Sequence, residues 1–312
     1  MSILFLITRR NWIFMWAILE INAITFIAYI LNKNSLAETE RIVKYFLIQA
    51  LGSSLMLIAI IIFLRRLNTS TIRFILLIGI FIKLGFVPFH VWVPQIFISL
   101  RWFNIFLLST IQKIAPLIFI LEVISNWQKF SIFFLAIINR IIRIILAINQ
   151  SSIRSLIAYS SINHIRWIIV PTLYNKDDGW QYFIIYAFSF IVLSIFFIKA
   201  NIYWSHCITI IINRCILNKP TFFFVFLSFA GLPPLLGFYP KFIVLISLTI
   251  VRKIFSLIII ILSAMGIYFY IIVFLMSLLN FNTPINNIFT WLNRHTRIFF
   301  VIIPIALIFF SF

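Results

Sequence analysis

Two cysteines, seven glycines and six acidic residues are all that this chain of 312 residues carries of those types. Each scarcity closes off some chemistry. Cys207 and Cys215 share one polar connection, and a single pair supports neither a disulfide framework nor a metal or iron–sulfur site. The few glycines form no dinucleotide-binding fingerprint and no phosphate loop. Charged residues make up only 10% of the chain, and the polar connections are short, so no extramembrane domain is expected to carry a soluble cofactor. A cleavable signal pattern is missing too. Ser2 to Ile7 is a short apolar run with no basic stretch before it and no small-residue cleavage site after it.

The formal net charge of +19 raises the question of nucleic acid. The basic residues stand singly between apolar runs and form no patch in polar surroundings, so no nucleic-acid partner is expected. Lys and Arg also divide evenly between alternate connections, which leaves the orientation in a membrane undecided by charge bias.

What the chain has in abundance is apolar surface. Hydrophobic residues reach 64%, with 38 Phe and a mean hydropathy of +1.16. No soluble domain of this length needs so much. The expected fold is all-α: a polytopic membrane helix bundle in one domain, 1–312. Apolar segments of about 20 residues, long enough to span a bilayer, read as 11–31, 41–63, 71–98, 103–125, 130–149, 152–172, 180–200, 220–248, 253–280 and 296–312. Segment 1–9 is too short to span. The preference for Ile and Phe over Gly and Ala fits an AT-rich genome, and so an organelle.

Four charges fall inside these spans: Glu20, Lys83, Lys113 and Lys241. Each costs about 2.5–3.5 kcal/mol at a helix centre, so each marks an ion or proton path by default. A structural ion pair or a snorkelling side chain is the plainer alternative. Two spans are also interrupted. Gly85, Pro88 and Pro94 follow Lys83; Gly231, Pro233, Pro234, Gly237 and Pro240 precede Lys241. Proline removes a backbone donor and forces the helix to unwind, and unwound backbone at membrane depth survives only against protein or a wet cavity. Such paired breaks point to an internal repeat around a transport site; a kink that only shapes packing is the alternative. His90 and His164 are candidate proton relays, because imidazole both donates and accepts, or else packed histidines beside an unwound segment.

Six stretches in order carry a family resemblance: Leu19–Asn22, Glu40–Ala50, Lys83–Pro94, Gln112–Leu117, Asn149–His164 and Gly231–Phe242. Together they resemble the subunit-2 family of mitochondrial NADH:ubiquinone oxidoreductase, respiratory complex I, in its shortened animal form. The resemblance implies an antiporter-like inverted repeat with two broken helices and about ten to eleven transmembrane helices. The half-repeats would be roughly 1–125 and 126–280, followed by a C-terminal helix at 296–312. It carries the proton-path roles onto Glu20, Lys83, Lys113 and Lys241. It implies a proton-translocating membrane-arm subunit that holds no redox group itself; FMN, iron–sulfur clusters and ubiquinone belong to other subunits. Implied partners are other membrane-arm subunits, one of them antiporter-like, and phospholipid such as cardiolipin. The implied setting is the mitochondrial inner membrane, with mitochondrial encoding.

Two other classes compete. One is a stand-alone cation/proton antiporter subunit; the other is a structural spacer that keeps the fold without conduction. Arg101, Arg143 and Arg166 depart from the family's small residues at those positions. They are either arginines that face a partner or lipid phosphate, or serines, if AGA and AGG codons follow an invertebrate mitochondrial code. Arg154 fits the family's pattern.

Overall fold

The structure is a computed structural model. It describes residues 11–31, 36–65, 69–123, 128–148, 150, 152–199, 227–232, 235, 237–251, 256–264, 266 and 270. The expected segments 1–9 and 296–312, and both cysteines, lie outside these residues.

Every extended element among the described residues is a helix. They are α1 (Trp12–Leu31), α2 (Leu36–Leu64), α3 (Thr69–Leu84), α4 (Trp92–Ser99), α5 (Trp102–Ser109), α6 (Ile111–Val123), α7 (Gln128–Ile148), α8 (Ile153–Thr172), α9 (Lys176–Lys199) and α10 (Phe238–Val251). Among the described residues, four stretches are long and apolar enough to cross a membrane: Trp12–Leu31, Thr39–Leu64, Trp102–Val123 and Lys176–Ile198.

Several boundaries differ from the sequence reading. Helices α2 and α9 begin inside connections expected to be loops. In α9 the reason is Asp177 and Asp178 in the first turn, where carboxylates favour the positive end of the helix. In α2, Lys44 pairs with Glu40 one turn away at 2.8 Å, which supports the opening turns. The expected span 103–125 is two helices, α5 and α6. At their junction the hydroxyls of Ser109 and Thr110 donate to the Phe106 carbonyl and compete with the helical ladder. Pro116 then removes the donor that the Gln112 carbonyl would have met.

The broken span 71–98 resolves into α3, an irregular stretch and α4. The break is built as a glycine cap. Gly85 takes φ +70°, its N–H bonds the Ile82 carbonyl, and the Phe86 N–H reaches back to Phe81. This pattern of two bonds closes a helix on a left-handed residue. Its usual apolar contact is present: the Phe81 and Phe86 rings stack at 4.8 Å. The second break repeats the device. Gly231 takes φ +75°, its N–H bonds Ser228 and Leu227, and the Leu232 N–H reaches back to Leu227.

Helix α8 occupies the centre. Every residue from Ile153 to Pro171 is buried, and α4, α7, α9 and α10 pack around it. Its sequence explains the position. Arg154, Ser155, Ser160, Ser161, Asn163, His164 and Arg166 leave no apolar face to give to lipid, so the helix must be enclosed by protein. By contrast α1 and α2 expose Ile21, Ile24, Leu47 and Leu51. Helices α1, α2, α3 and α6 form a second cluster beside the first.

Candidate functional site

The first break places Lys83 in the last turn of α3, where unpaired carbonyls collect. Side chains take them up. Trp92 Nε1 donates to the Ile82 carbonyl at 3.2 Å, and Gln49 Nε2 donates to that of Lys83 at 3.4 Å. The Lys83 ammonium turns to α1 and meets Glu20 Oε1 at 2.7 Å. Its side chain is 2% exposed, that of Glu20 25%. The pair is therefore buried on the lysine side and more open on the carboxylate side.

Lys113, on α6, is 5% exposed. Its ammonium donates to the Ser161 carbonyl of α8 at 3.3 Å and lies 5.6 Å from the Tyr186 ring centroid. It thus joins the two helix clusters. Lys241, at 8% exposed, donates to the Ala230 carbonyl, the residue just before the left-handed Gly231. A cation at this carbonyl end of a helix is favoured by the local dipole.

Between Lys83 and Lys113 lies a cavity of about 20 Å³ lined by Asn22, Gln49, Gln112 and both lysines, with Tyr45 and Trp92 among its walls. That is room for one water molecule. Gln112 Nε2 donates to the backbone carbonyl and to Oδ1 of Asn22, at 3.3 and 3.4 Å. Three amides therefore converge where two lysines meet.

The two histidines differ. His90 sits in the break with Nδ1 3.2 Å from the Pro88 carbonyl of its own loop. Among the described residues its Nε2 has no hydrogen-bond partner, and the structure does not bring it to a lysine. His164 lies on α8 one turn beyond Ser161. Its Nδ1 is 2.8 Å from the Tyr182 hydroxyl, and the rings of Tyr186 and Phe229 pack on it at 4.7 and 5.0 Å.

The buried arginines serve packing. Arg154 donates to the Ile98 carbonyl at 2.8 Å and lies over Trp102, which ties the end of α4 to α8. Arg140 and Arg166 flank the Trp167 ring, 5.5 and 4.5 Å from its centroid. Arg101, in contrast, is exposed before α5. The side chain of Arg143 lies outside the described residues.

Asn22, Gln49, Gln112, Tyr182 and Tyr186 were not assigned from the sequence. For Asn22 and Gln112 the signal was there, an amide one or two residues from Glu20 and Lys113 in an otherwise apolar run; Gln49 stands beside none of the four charges. The tyrosines offered only a spacing of one helical turn on α9.

A buried ion pair beside a glycine-capped break, a second lysine across a water-sized cavity and a third at a matching break define an antiporter-like membrane subunit. The family comparison agrees. Residues 10–266 match the family described as NADH:quinone oxidoreductase/Mrp antiporter, transmembrane, and the chain belongs to that family. Its curated relatives include NADH-ubiquinone oxidoreductase chain 2 of Anopheles gambiae, 35% identical over 85% of this chain and 79% of that one. The protein of the same name from Lumbricus terrestris is 31% identical over 89% and 84%. Among solved structures, respiratory complex I from Thermus thermophilus contains a chain with a TM-score of 0.72 at 20% identity, covering 91% of this chain and 69% of that one. The Mrp complex from Dietzia sp. gives 0.68 at 14% identity, over 84% and 55%. At these identities the two structures show the shared fold.

Proposed function

We infer that this chain is the proton-translocating subunit of the chain-2 type in the membrane arm of respiratory complex I, and that Glu20, Lys83, Lys113, His164 and Lys241 form its proton path. The observation that carries the residue assignment is the 2.7 Å ion pair between Glu20 and Lys83 at the first helix break, with the amide-lined cavity leading on to Lys113.

The physical logic follows from burial. An ammonium in an apolar site keeps its charge at low cost only while a counter-charge is at hand. With Glu20 in contact, Lys83 holds its proton. When conformational change elsewhere in the complex draws the carboxylate away, the proton has a route through the cavity to Lys113. From there the path runs past His164 towards Lys241. No redox group is needed in this chain; it acts as a non-redox subunit of an NADH:ubiquinone reductase, and FMN, iron–sulfur clusters and ubiquinone are assigned to other subunits. The setting we propose is the mitochondrial inner membrane, with mitochondrial encoding, neighbouring membrane-arm subunits on its flanks and phospholipid, cardiolipin included, around the basic connections.

The test uses the assembled complex in membrane vesicles. Lys83→Met and Lys241→Met keep the apolar stem and remove the charge. Each is expected to leave the complex assembled while lowering NADH-driven proton pumping and coupled quinone reduction at least tenfold. Pumping at the wild-type rate in both variants would leave the spacer reading standing.

A further inference from the structure

We propose that Tyr182 is the positioning residue for His164: its hydroxyl fixes the imidazole through Nδ1, so that protons enter and leave at Nε2. The proposal rests on the proton-path reading, in which His164 lies between Lys113 and Lys241. The neighbours place it there. Ser161, one turn before His164, supplies the carbonyl for Lys113. Phe229, whose ring meets His164 edge-on at 5.0 Å, precedes Ala230, the carbonyl for Lys241.

Three observations single out Tyr182. Its hydroxyl is 2.8 Å from His164 Nδ1. It is 1% exposed, so bulk water does not compete for that bond. Its ring lies parallel to Trp167, 6° between planes at 6.2 Å, and Arg140 and Arg166 brace Trp167. The hydroxyl is thus held by a rigid wall.

The choice of a phenol has chemical consequences. A carboxylate against Nδ1 would stabilise the charged ring and trap the proton. A hydroxyl oxygen accepts from Nδ1–H whether the ring is neutral or charged, so the bond survives the whole cycle. In the neutral ring with Nδ1–H, the lone pair is on Nε2. On loading, an N–H bond of the Lys113 ammonium breaks, an Nε2–H bond forms, and the positive charge passes to the ring, with water as carrier across the gap. On release, Nε2–H breaks and the neutral amine of Lys241 takes the proton. Nothing is oxidised or reduced, and Tyr182 keeps its own proton. The charged and titratable groups around the pair are Lys113 from α6, Arg140 from α7, Arg166 from α8, Tyr186 from α9, and Tyr270.

Tyr182→Phe in the assembled complex tests this, because it removes the hydroxyl and keeps the ring stacked. The expected result is a fall in proton-pumping rate of about three- to tenfold, the range carried by one neutral hydrogen bond, with a moved pH profile. Adding Tyr182→Phe to His164→Gln should cost nothing further, since the phenol acts through the imidazole. If His164→Gln pumps normally, the relay reading of His164 fails and this proposal with it. If His164→Gln is impaired while Tyr182→Phe pumps at the wild-type rate with an unmoved pH profile, the proposal alone is overturned. Should Tyr182→Phe fail to assemble, cryo-electron microscopy of the wild-type complex at two pH values decides. A bond between Tyr182 and His164 Nδ1 kept at both supports the proposal; one lost at either pH overturns it.

Discussion

At the residue scale desolvation cost marks the charges, and packing decides which of them meet. An ionisable side chain in an apolar run stands out because of its desolvation cost, so Glu20, Lys83, Lys113 and Lys241 could be picked out one by one. Glu20 and Lys83 are 63 positions apart, and only the resemblance joined them into one path. Their contact depends on how α1 packs beside α3. The amides of Asn22, Gln49 and Gln112 were visible in the motifs but silent, because an amide's role depends on which cavity it faces. His90 and His164 looked equal in sequence. The fold separates them, giving His90 its own loop carbonyl and His164 a tyrosine from another helix. The pair at Glu20 allows a sharp test. Glu20→Gln keeps the shape and an oxygen acceptor but removes the charge, leaving a 2%-exposed ammonium without its counter-charge. Breaking a buried pair in this way costs about 3–5 kcal/mol, somewhat less here because Glu20 is partly open. The expected outcome is an assembled complex whose pumping falls at least tenfold, measured as acidification driven by NADH. Glu20→Asp, which keeps the charge on a shorter stem, should lose less.

At the element scale the two breaks are the same device used twice. Proline and glycine spacing announced that both helices unwind, since those residues act locally. The spacing did not reveal that each break closes on a left-handed glycine with the same pair of backbone bonds, although the lysine beside each break was legible and is buried at both. It missed the α5–α6 junction altogether, because Ser109 and Thr110 weaken a helix only by turning their hydroxyls onto a carbonyl. The polar residues around α8 require that it be enclosed by protein; which helices enclose it follows from tertiary packing. Gly231→Ala probes the second break. A side chain at left-handed φ costs about 1–2 kcal/mol, and the added methyl would run into the ammonium of Lys241. Gly85→Ala carries the same backbone cost, but there the methyl meets Val93. Both should lower the yield of assembled complex, read by native gel electrophoresis. Per assembled complex, Gly231→Ala should reduce pumping more on the proton-path reading, because it displaces the Lys241 ammonium directly.

At the scale of the whole molecule the distribution of charge and apolar surface sets what the chain can do alone. All six acidic residues lie at or before Asp178, whereas buried cations run from Lys83 through Lys113, Arg140, Arg154 and Arg166 and on past that point to Lys241. Glu20–Lys83 is an ion pair with a buried member. Outside, α1 and α2 carry Ile13, Phe14, Ile21, Ile24, Val43, Phe46, Leu47 and Leu51, all exposed. Such a face is covered by lipid or by other membrane helices, and an apolar surface this continuous does not stay single in water. The hydropathy of the sequence announced that surface; it could not say which part meets a partner. On the chain-2 reading proposed above, that surface meets neighbours along the membrane arm. Gentle solubilisation followed by native electrophoresis should therefore find this chain in a large assembly that oxidises NADH, and cross-linking from α1 and α2 should capture helical membrane subunits. Migration alone, or in a small complex that exchanges cations without NADH, would remove the complex I assignment and leave the cation/proton antiporter.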